Sequence, residues 1–308
     1  MHKYIFKRLL MMIPVILGVV FIVFTMNEVS PGNPARIILG EIASEEAVAQ
    51  LEEEMGLNDP FLLRYLRYVF NAARGDLGQS FTYRTSVTSE VFIRFPTTVL
   101  LAGLGVMVAL LIGIPLGIIS ATKQYSIFDN VAIFIGLLGI SLPSFWVGLL
   151  LIILFTVNLG WLPATGFGTP LHWIMPAITI GTGSTAMVMR MTRSNMLEVI
   201  RQDYIRTARA KGAKESTVIL KHALRNALIP VVTAVGLTFG FLLGGAVLTE
   251  TIFSINGLGR FMVDSIRRRD YPIVQGGVLV LAIAFSLINL FVDILYAFID
   301  PRLKSQYK

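Results

Sequence analysis

"NVAIFIGLLGISLPSFWVGLLLIILFTVNLGWLPATGFGTPLHWIMPAITIGTGSTAMVM", residues 130–189, contains no aspartate, glutamate, lysine or arginine. A charged residue at the middle of a membrane helix costs about 2.5–3.5 kcal/mol on insertion scales, so a charge-free run of this length reads as bilayer-embedded. At about 20 residues per crossing it holds two spans. Their turn falls at residues 158–170, where glycine and proline cluster.

The same criterion places further spans at residues 9–26, 95–122, 226–249 and 271–292. The expected fold is therefore an all-α integral membrane protein with six transmembrane helices. Composition agrees, because 55% apolar and 15% charged residues, with a mean hydropathy of +0.72, lie outside the soluble globular range. The first span follows Lys3, Lys7 and Arg8 and resembles a signal peptide. It is longer than the usual apolar region of about 7–15 residues and no small-x-small site follows directly, so it reads as a retained anchor.

Lysine and arginine set the orientation. The segments before the first span, around Lys123, over residues 190–225 and after the last span (Arg302, Lys304, Lys308) carry sixteen basic residues. The alternate segments carry ten, and the six of these within residues 27–94 are offset by ten acids. Both termini are thus expected in the cytoplasm, with the Arg267-Arg268-Arg269 run outside, bracketed by Asp264 and Asp270. Three regions follow: residues 1–28, a tail and first span; 29–94, an extracytoplasmic helical region; and 95–308, a five-span core with a cytoplasmic loop at 190–226.

That loop contains "DYIRTARAKGAKESTVILKHALRNALIP", residues 203–230. Periodicity predicts a helix over 195–211 with Met196, Val199, Ile200 and Tyr204 on an apolar stripe. Gly212 stops it, and helix resumes over 214–226 with Val218, Ile219 and Leu224 apolar; Pro230 marks entry to the fifth span. Small residues (Ala208, Ala210, Gly212, Ala213) surround the break, flanked by Arg206, Arg209, Lys211 and Lys214. A basic helix lying on anionic lipid is one reading. A short helix docked in a partner's cleft is the other, and alanine and glycine in place of bulky apolar anchors favour it.

In the outer region Ser44 caps a predicted helix with Ala47, Val48, Leu51 and Met55 on one side and Gly56 as its stop. Asp59-Pro60 opens another through Val69, with Pro60 at the first helical position. Glu52, Glu53 and Glu54 form an acidic cluster suited to a wet, transient interface.

Within the spans, Ser141, Ser144, Thr182, Ser184 and Thr185 are candidates for a translocation path, although such hydroxyls also bond helix backbone. Gly240, Gly244 and Gly245 are expected to allow close helix approach.

Other chemistry is lacking. Cysteine is absent, and His2, His172 and His222 are scattered with no metalloprotease or triad spacing, so no catalytic or metal-ligating residue is assigned. No phosphate-binding P-loop occurs. An ion-coupled secondary transporter is the alternative function, but it would need an ionisable group near the bilayer midplane, and no acid lies deep in a predicted span.

"DYIRTARAKGAKE" followed by "LKHALRNALIPVV" resembles the cytoplasmic loop of ABC importer permeases in the branch handling dipeptides, oligopeptides, nickel and glutathione. In that superfamily the loop is the EAA motif, whose Glu-Ala-Ala precedes a glycine and, later, Ile-x-Leu-Pro. Here Ala208 and Gly212 match, Arg206 stands at the glutamate position, Thr207 at the first alanine, and His222-Ala223-Leu224-Arg225 replaces Ile-x-Leu-Pro. These departures are those of the peptide-type branch. "FKRLLMMIPVILGVVFIVF", "SPGNPA", "RGDLGQSF", "LPATG", "ETIFSINGLGRFMVDSIRRRDYPIVQG" and "LYAFIDPRLK" resemble the same branch in the same order, specifically its first permease type, over nearly the whole chain.

The resemblance implies a type I importer permease fold in the bacterial or archaeal cell membrane, with Asp203, Tyr204, Arg206, Thr207, Ala208, Arg209, Ala210, Lys211 and Gly212 coupling to an ATPase. It implies a second, homologous permease subunit, two ABC ATPases carrying ATP and Mg, and an extracytoplasmic solute-binding protein contacting the outer region, for which the acidic cluster Glu52, Glu53 and Glu54 supplies the candidate contacts. No cofactor is expected on this chain. Membrane lipid surrounds it, and no nucleic-acid partner is expected.

Overall fold

The structure, a computed structural model, describes residues 2–29, 32–40 and 42–299. Glu41, the basic tail Arg302, Lys304 and Lys308, and parts of "SPGNPA" and "LYAFIDPRLK" lie outside the described residues.

In chain order the helices are α1 (His2–Val29), α2 (Pro34–Leu39), α3 (Glu45–Glu54), α4 (Phe61–Ala73), α5 (Val87–Thr122) and α6 (Ile127–Ser141). Next come α7 (Ser144–Leu151), extended by a π-helical turn over Ile152–Asn158, then α8 (Pro170–Ile200) and α9 (Asp203–Ala210). The short α10 (Glu215–Thr217) runs through a π-helical stretch, Val218–Ala223, into α11 (Leu224–Ile252), followed by α12 (Leu258–Arg267) and α13 (Tyr271–Ile299). Apart from these, Gln79 and Ser86 form an isolated antiparallel bridge.

Among the described residues, four helices are long and apolar enough to cross a membrane: Ile5–Val29, Val87–Thr122, Glu215–Ile252 and Tyr271–Leu295. A fifth crossing exists if α6 and α7, bent by 104°, form one span. Length and hydropathy alone therefore mark four or five of the six expected spans, and the shortfall lies in the charge-free run. Its second limb begins at Pro170 as expected, but threonine, serine and glycine dilute the apolar character of α8. Its first limb is broken at Leu142-Pro143, where Leu142 is extended (ψ 129°) and accepts no helical continuation. Proline lacks an N–H and disfavours helical backbone in the residue before it, which accounts for the bend.

Two compact units make up the chain: one comprises His2–Thr98 and Asn256–Ser286, the other Val99–Ile255 and the chain from Leu287 on. In the first, α4 lies along α1 through edge-to-face ring contacts. Phe21 and Tyr65 have centroids 5.4 Å apart, Phe24 and Phe61 also 5.4 Å, and the Tyr65 hydroxyl donates to the Leu17 carbonyl at 3.0 Å. Such ring pairs add about 0.5–1.5 kcal/mol beyond the area they bury. Ser44 caps α3 by accepting from the Ala47 N–H, Val48 is its buried face, and Gly56 (φ +65°) follows its end, all as expected. Helix α4 continues to Ala73 rather than Val69, with Pro60 at the N-cap instead of the first turn. Asp270, fully buried, accepts from the Ser80 hydroxyl, the Phe81 N–H at 3.0 Å and the Thr82 N–H at 3.2 Å, so one carboxylate fixes the 80–82 turn.

The second unit is organised on α8, which buries Met175, Ile180, Ala186, Met189 and Met196. It meets α5 at glycines. A Cβ at Gly181 would lie 2.7 Å from the Gly105 carbonyl oxygen, one at Gly113 2.8 Å from that of Thr185, and one at Gly117 2.7 Å from that of Met189. Small residues let helix backbones approach closely in a membrane, where packing rather than hydrophobicity drives association. Of the glycines expected to do this on α11, Gly244 and Gly245 do not within this chain, since an added Cβ at either meets nothing within 4 Å, whereas Gly240 is buried.

Candidate functional site

Helix α8 ends at Ile200, and the Arg201-Gln202 turn starts α9, so the helix predicted over 195–211 is two helices. One side chain anchors the second. Ile205 is fully buried in a cluster with Met196, Val218, Ala223 and Ala227, against which Val199, Ile200, Ile219 and Leu224 also pack. Tyr204, expected on the apolar stripe, is 44% exposed, and its hydroxyl accepts from Asn226 Nδ2 at 2.7 Å. The turn before α9 shifts the buried register by one residue, which periodicity across an assumed continuous helix does not register. Pro230 lies within α11, because helix runs unbroken from Glu215 to Ile252.

With Ile205 inward, Asp203, Tyr204, Arg206, Thr207, Arg209, Ala210, Lys211 and Gly212 are exposed. Ala208 is half-buried and packs against the same cluster. Gly212 has φ +77°, in the left-handed region where glycine pays no steric penalty, and its N–H donates to the Arg209 carbonyl at 2.9 Å. Arg209 then spans the turn with a two-pronged ion pair to Glu215, Nε to Oε2 at 3.0 Å and Nη2 to Oε1 at 2.7 Å. The Glu215 hydrogen bond pushes the guanidinium pKa further above its ordinary value, so Arg209 stays charged. Thr207 donates to the Asp203 carbonyl at 3.0 Å, and Arg206 lies 3.7 Å from Asp203. The result is a short exposed helix on a rigid base, carrying a small residue at Ala210 and charge on either side.

A clamp unforeseen in the sequence reading supports that base. Asp129, 1% exposed at the start of α6, accepts from Arg193 of α8 through Nε and Nη2, both at 2.9 Å. It also accepts from the Ser120 hydroxyl of α5 and the Tyr125 N–H at 2.9 Å. A paired, fully hydrogen-bonded carboxylate is what burial requires. The signal was present, since Asp129 immediately precedes the charge-free run and Arg193 closely follows it, so an antiparallel hairpin brings them together.

Of the five hydroxyl candidates for a path, Thr182 and Thr185 come together at a recess of about 180 Å³ with Ile112, Gly136, Gly139 and Met189. Their hydroxyls donate to their own helix, to Ile178 O at 2.6 Å and Gly181 O at 2.8 Å. Ser184 is buried, while Ser141 and Ser144 are exposed and flank the Pro143 bend. In the acidic cluster, Glu53 and Glu54 are exposed, but Glu52 accepts from Asn33 Nδ2, the residue that caps α2. Among the described residues no group of three or more histidines and acids is placed to hold a metal ion.

The chain matches the binding-protein-dependent transport system inner membrane component over residues 113–305 and that system's membrane component N-terminal region over residues 1–102. It is 46% identical to the dipeptide transport system permease protein DppB of Alkalihalophilus pseudofirmus, covering 99% of this chain and 100% of that one. It is 43% identical to the glutathione transport system permease protein GsiC of Pectobacterium atrosepticum, with 99% of each chain covered. Among solved structures, a chain of the MetNI methionine ABC transporter in an inward-facing conformation aligns with a TM-score of 0.58 at 19% identity, covering 68% of this chain and 96% of that one. A chain of an amino acid ABC transporter aligns with a TM-score of 0.51 at 16% identity, over 70% and 94%.

The fold is thus that of an ABC transporter membrane subunit. The chain belongs to the binding-protein-dependent transport system inner membrane component family, as a multi-pass inner-membrane permease of ABC importers in the dipeptide and glutathione branch.

Proposed function

We propose that this permease forms half of the pathway for a small peptide or related solute, beside a second homologous permease, with ATP and Mg held by two partner ATPases. In this reading α9 is the helix received by an ATPase cleft, and Asp203, Tyr204, Arg206, Thr207, Arg209, Ala210, Lys211 and Gly212 are its contact surface. The observation that carries it is the division of α9 into one buried anchor, Ile205, and an otherwise solvent-facing helix closed by the Arg209–Glu215 pair. A helix held this way transmits force from a partner into α8 and α11, the alternating-access motion that transport needs. The ion-coupled alternative has no support in the buried acids of the described residues: Asp129 lies in the first turn of α6, paired with Arg193, Glu250 in the last turn of α11, and Asp270 just before α13, bonded to the 80–82 turn.

The finer topology belongs to this reading too: six spans, with the α6–α7 pair as one and α8 as another, cytoplasmic termini, and a loop at 190–226 facing the ATPases. Residues 29–94 face a solute-binding protein, with exposed Glu53 and Glu54 as candidate contacts and Glu52 as a structural partner of Asn33. Thr182 and Thr185 are the best placed of the path candidates, since they share a recess.

The test uses the reconstituted importer. Ala210→Trp places bulk on the exposed side of α9 without touching the core that Ala208 packs against. Substrate-stimulated ATPase activity should fall at least about tenfold, equivalent to about 1.4 kcal/mol of lost coupling, while membrane insertion and yield stay normal. Wild-type stimulation in the assembled variant sinks the docking role. A helix lying on lipid would instead respond to loss of the Arg206, Arg209 and Lys211 charges.

A further inference from the structure

Helix α4 turns three different sides to its surroundings. At about 100° per residue, Phe61, Tyr65, Tyr68 and Ala72 share the side packed on α1, where the Phe61, Tyr65 and Tyr68 rings meet Phe21 and Phe24. Leu62, Leu63, Leu66 and Phe70 form a second stripe, and all four are exposed. Arg64, Arg67, Asn71 and Arg74 form the third. A contiguous apolar stripe bordered by charge marks a contact with protein or with membrane.

The way α4 sits on α1 decides between the two. Arg64 pairs with Glu28 at the end of α1, beyond the charge-free run that stops at Met26. On the opposite edge, Val69 and Ala73 border an apolar recess with Ile13, Leu17 and Val20 from the middle of the span Ile5–Val29. The polar edge of α4 thus points to the end of the span and the apolar edge to its interior. At a rise of about 1.5 Å per residue, Phe21 and Phe24 lie about 3–8 Å inside Met26. Amphipathic helices lie in the bilayer interface at about that depth, about 5–10 Å. Phe21 is itself exposed on this spanning helix, and its ring lies 5.8 Å from that of Phe61, next to Leu62, so the outer surface of α1 continues onto α4. At the border of the apolar and polar stripes, the Arg74 guanidinium carbon sits 3.9 Å from the centre of the Phe70 ring. A long cation placed this way covers apolar surface while its charge stays at the polar edge.

We propose that α4 is an interfacial membrane helix, with Leu62, Leu66 and Phe70 immersed in the acyl region of the leaflet beside α1 and Arg64, Arg67, Asn71 and Arg74 at headgroup level. Its partner is phospholipid, not a solute-binding protein or a second copy of this chain. The assignment rests only on the membrane location of α1 and stands whether or not α9 docks an ATPase.

Cysteine is absent from the chain, so a nitroxide can be attached at one residue at a time. Leu62→Cys, Leu66→Cys, Phe70→Cys, Arg67→Cys and, as an aqueous control on α3, Glu53→Cys are labelled and reconstituted in phosphatidylethanolamine–phosphatidylglycerol liposomes, as the chain alone and in the assembled importer. Each replaced side chain is exposed, so no core packing is lost. Electron paramagnetic resonance compares collisions with oxygen, which concentrates in lipid, and with a nickel chelate, which stays in water. Oxygen should dominate for the labels replacing Leu62, Leu66 and Phe70, at an immersion depth of about 5–10 Å, and the chelate for those replacing Arg67 and Glu53. If the chelate reaches the Leu66→Cys label as freely as the Glu53→Cys label, the stripe lies in water and the proposal is overturned. Exclusion of both reagents from the stripe in the assembled importer would place a protein partner on it and overturn the proposal equally.

Discussion

Asp129 shows how much one carboxylate can hold. Its two oxygens collect the Arg193 fork, the Ser120 hydroxyl and the Tyr125 N–H, joining α5, α6 and α8 at one point. Removing one partner of a buried pair leaves the other uncompensated, at about 3–5 kcal/mol, whereas replacing both by apolar residues is often neutral. Asp129→Asn should therefore lower the stability of the detergent-solubilised chain by roughly that amount. Asp129→Leu combined with Arg193→Met should recover most of it in the same unfolding assay. If Asp129→Asn unfolds like wild type, the pair is not a structural clamp.

At the scale of elements, the crossing of α5 and α8 depends on the absence of side chains at Gly105, Gly113 and Gly117. Gly117 faces backbone, since its added Cβ would meet the Met189 carbonyl oxygen at 2.7 Å as well as Thr192, so no rotamer change relieves the clash. Gly117→Leu should destabilise by at least the roughly 1–3 kcal/mol typical of overpacking. Gly244→Leu, with open space around it, serves as the control and should melt near wild type. Equal losses in both variants would show that helix glycine as such, not the crossing, is being measured. Sequence reasoning located the α9 stop at Gly212 because a left-handed residue is a local requirement. It misplaced the start of α9, because the Arg201-Gln202 turn carries no glycine or proline to announce it.

Across the whole molecule, the division of basic residues between alternate segments carries the orientation. A reporter active only outside the cytoplasm should work when fused after Gln79 or Gly166 and fail after Gly212 or Lys308. Activity at Gly212 would reverse the orientation and remove α9 from any ATPase. The reporter at Gly166, between α7 and α8, also decides whether the bent α6–α7 pair completes a crossing, which length and hydropathy leave as four or five spans. Signal at Gln79 without signal at Gly166 would make that pair a re-entrant hairpin.

The sequence by itself determined that this chain is a helical membrane protein, where most of its apolar helices run, and that helix in the 190–226 loop stops at Gly212. These are properties of runs, periods and single backbone positions, which are written along one dimension. Only the tertiary structure decided which polar groups meet and which helix faces touch. Asp129 and Arg193 are 64 residues apart, and Asp270 reaches Ser80 across 190. Gly117 is pressed against a backbone carbonyl while Gly244 faces open space. Hydropathy treats those two glycines alike, because what separates them is the angle and register at which helices cross, and that is set by the packing of side chains distant in sequence.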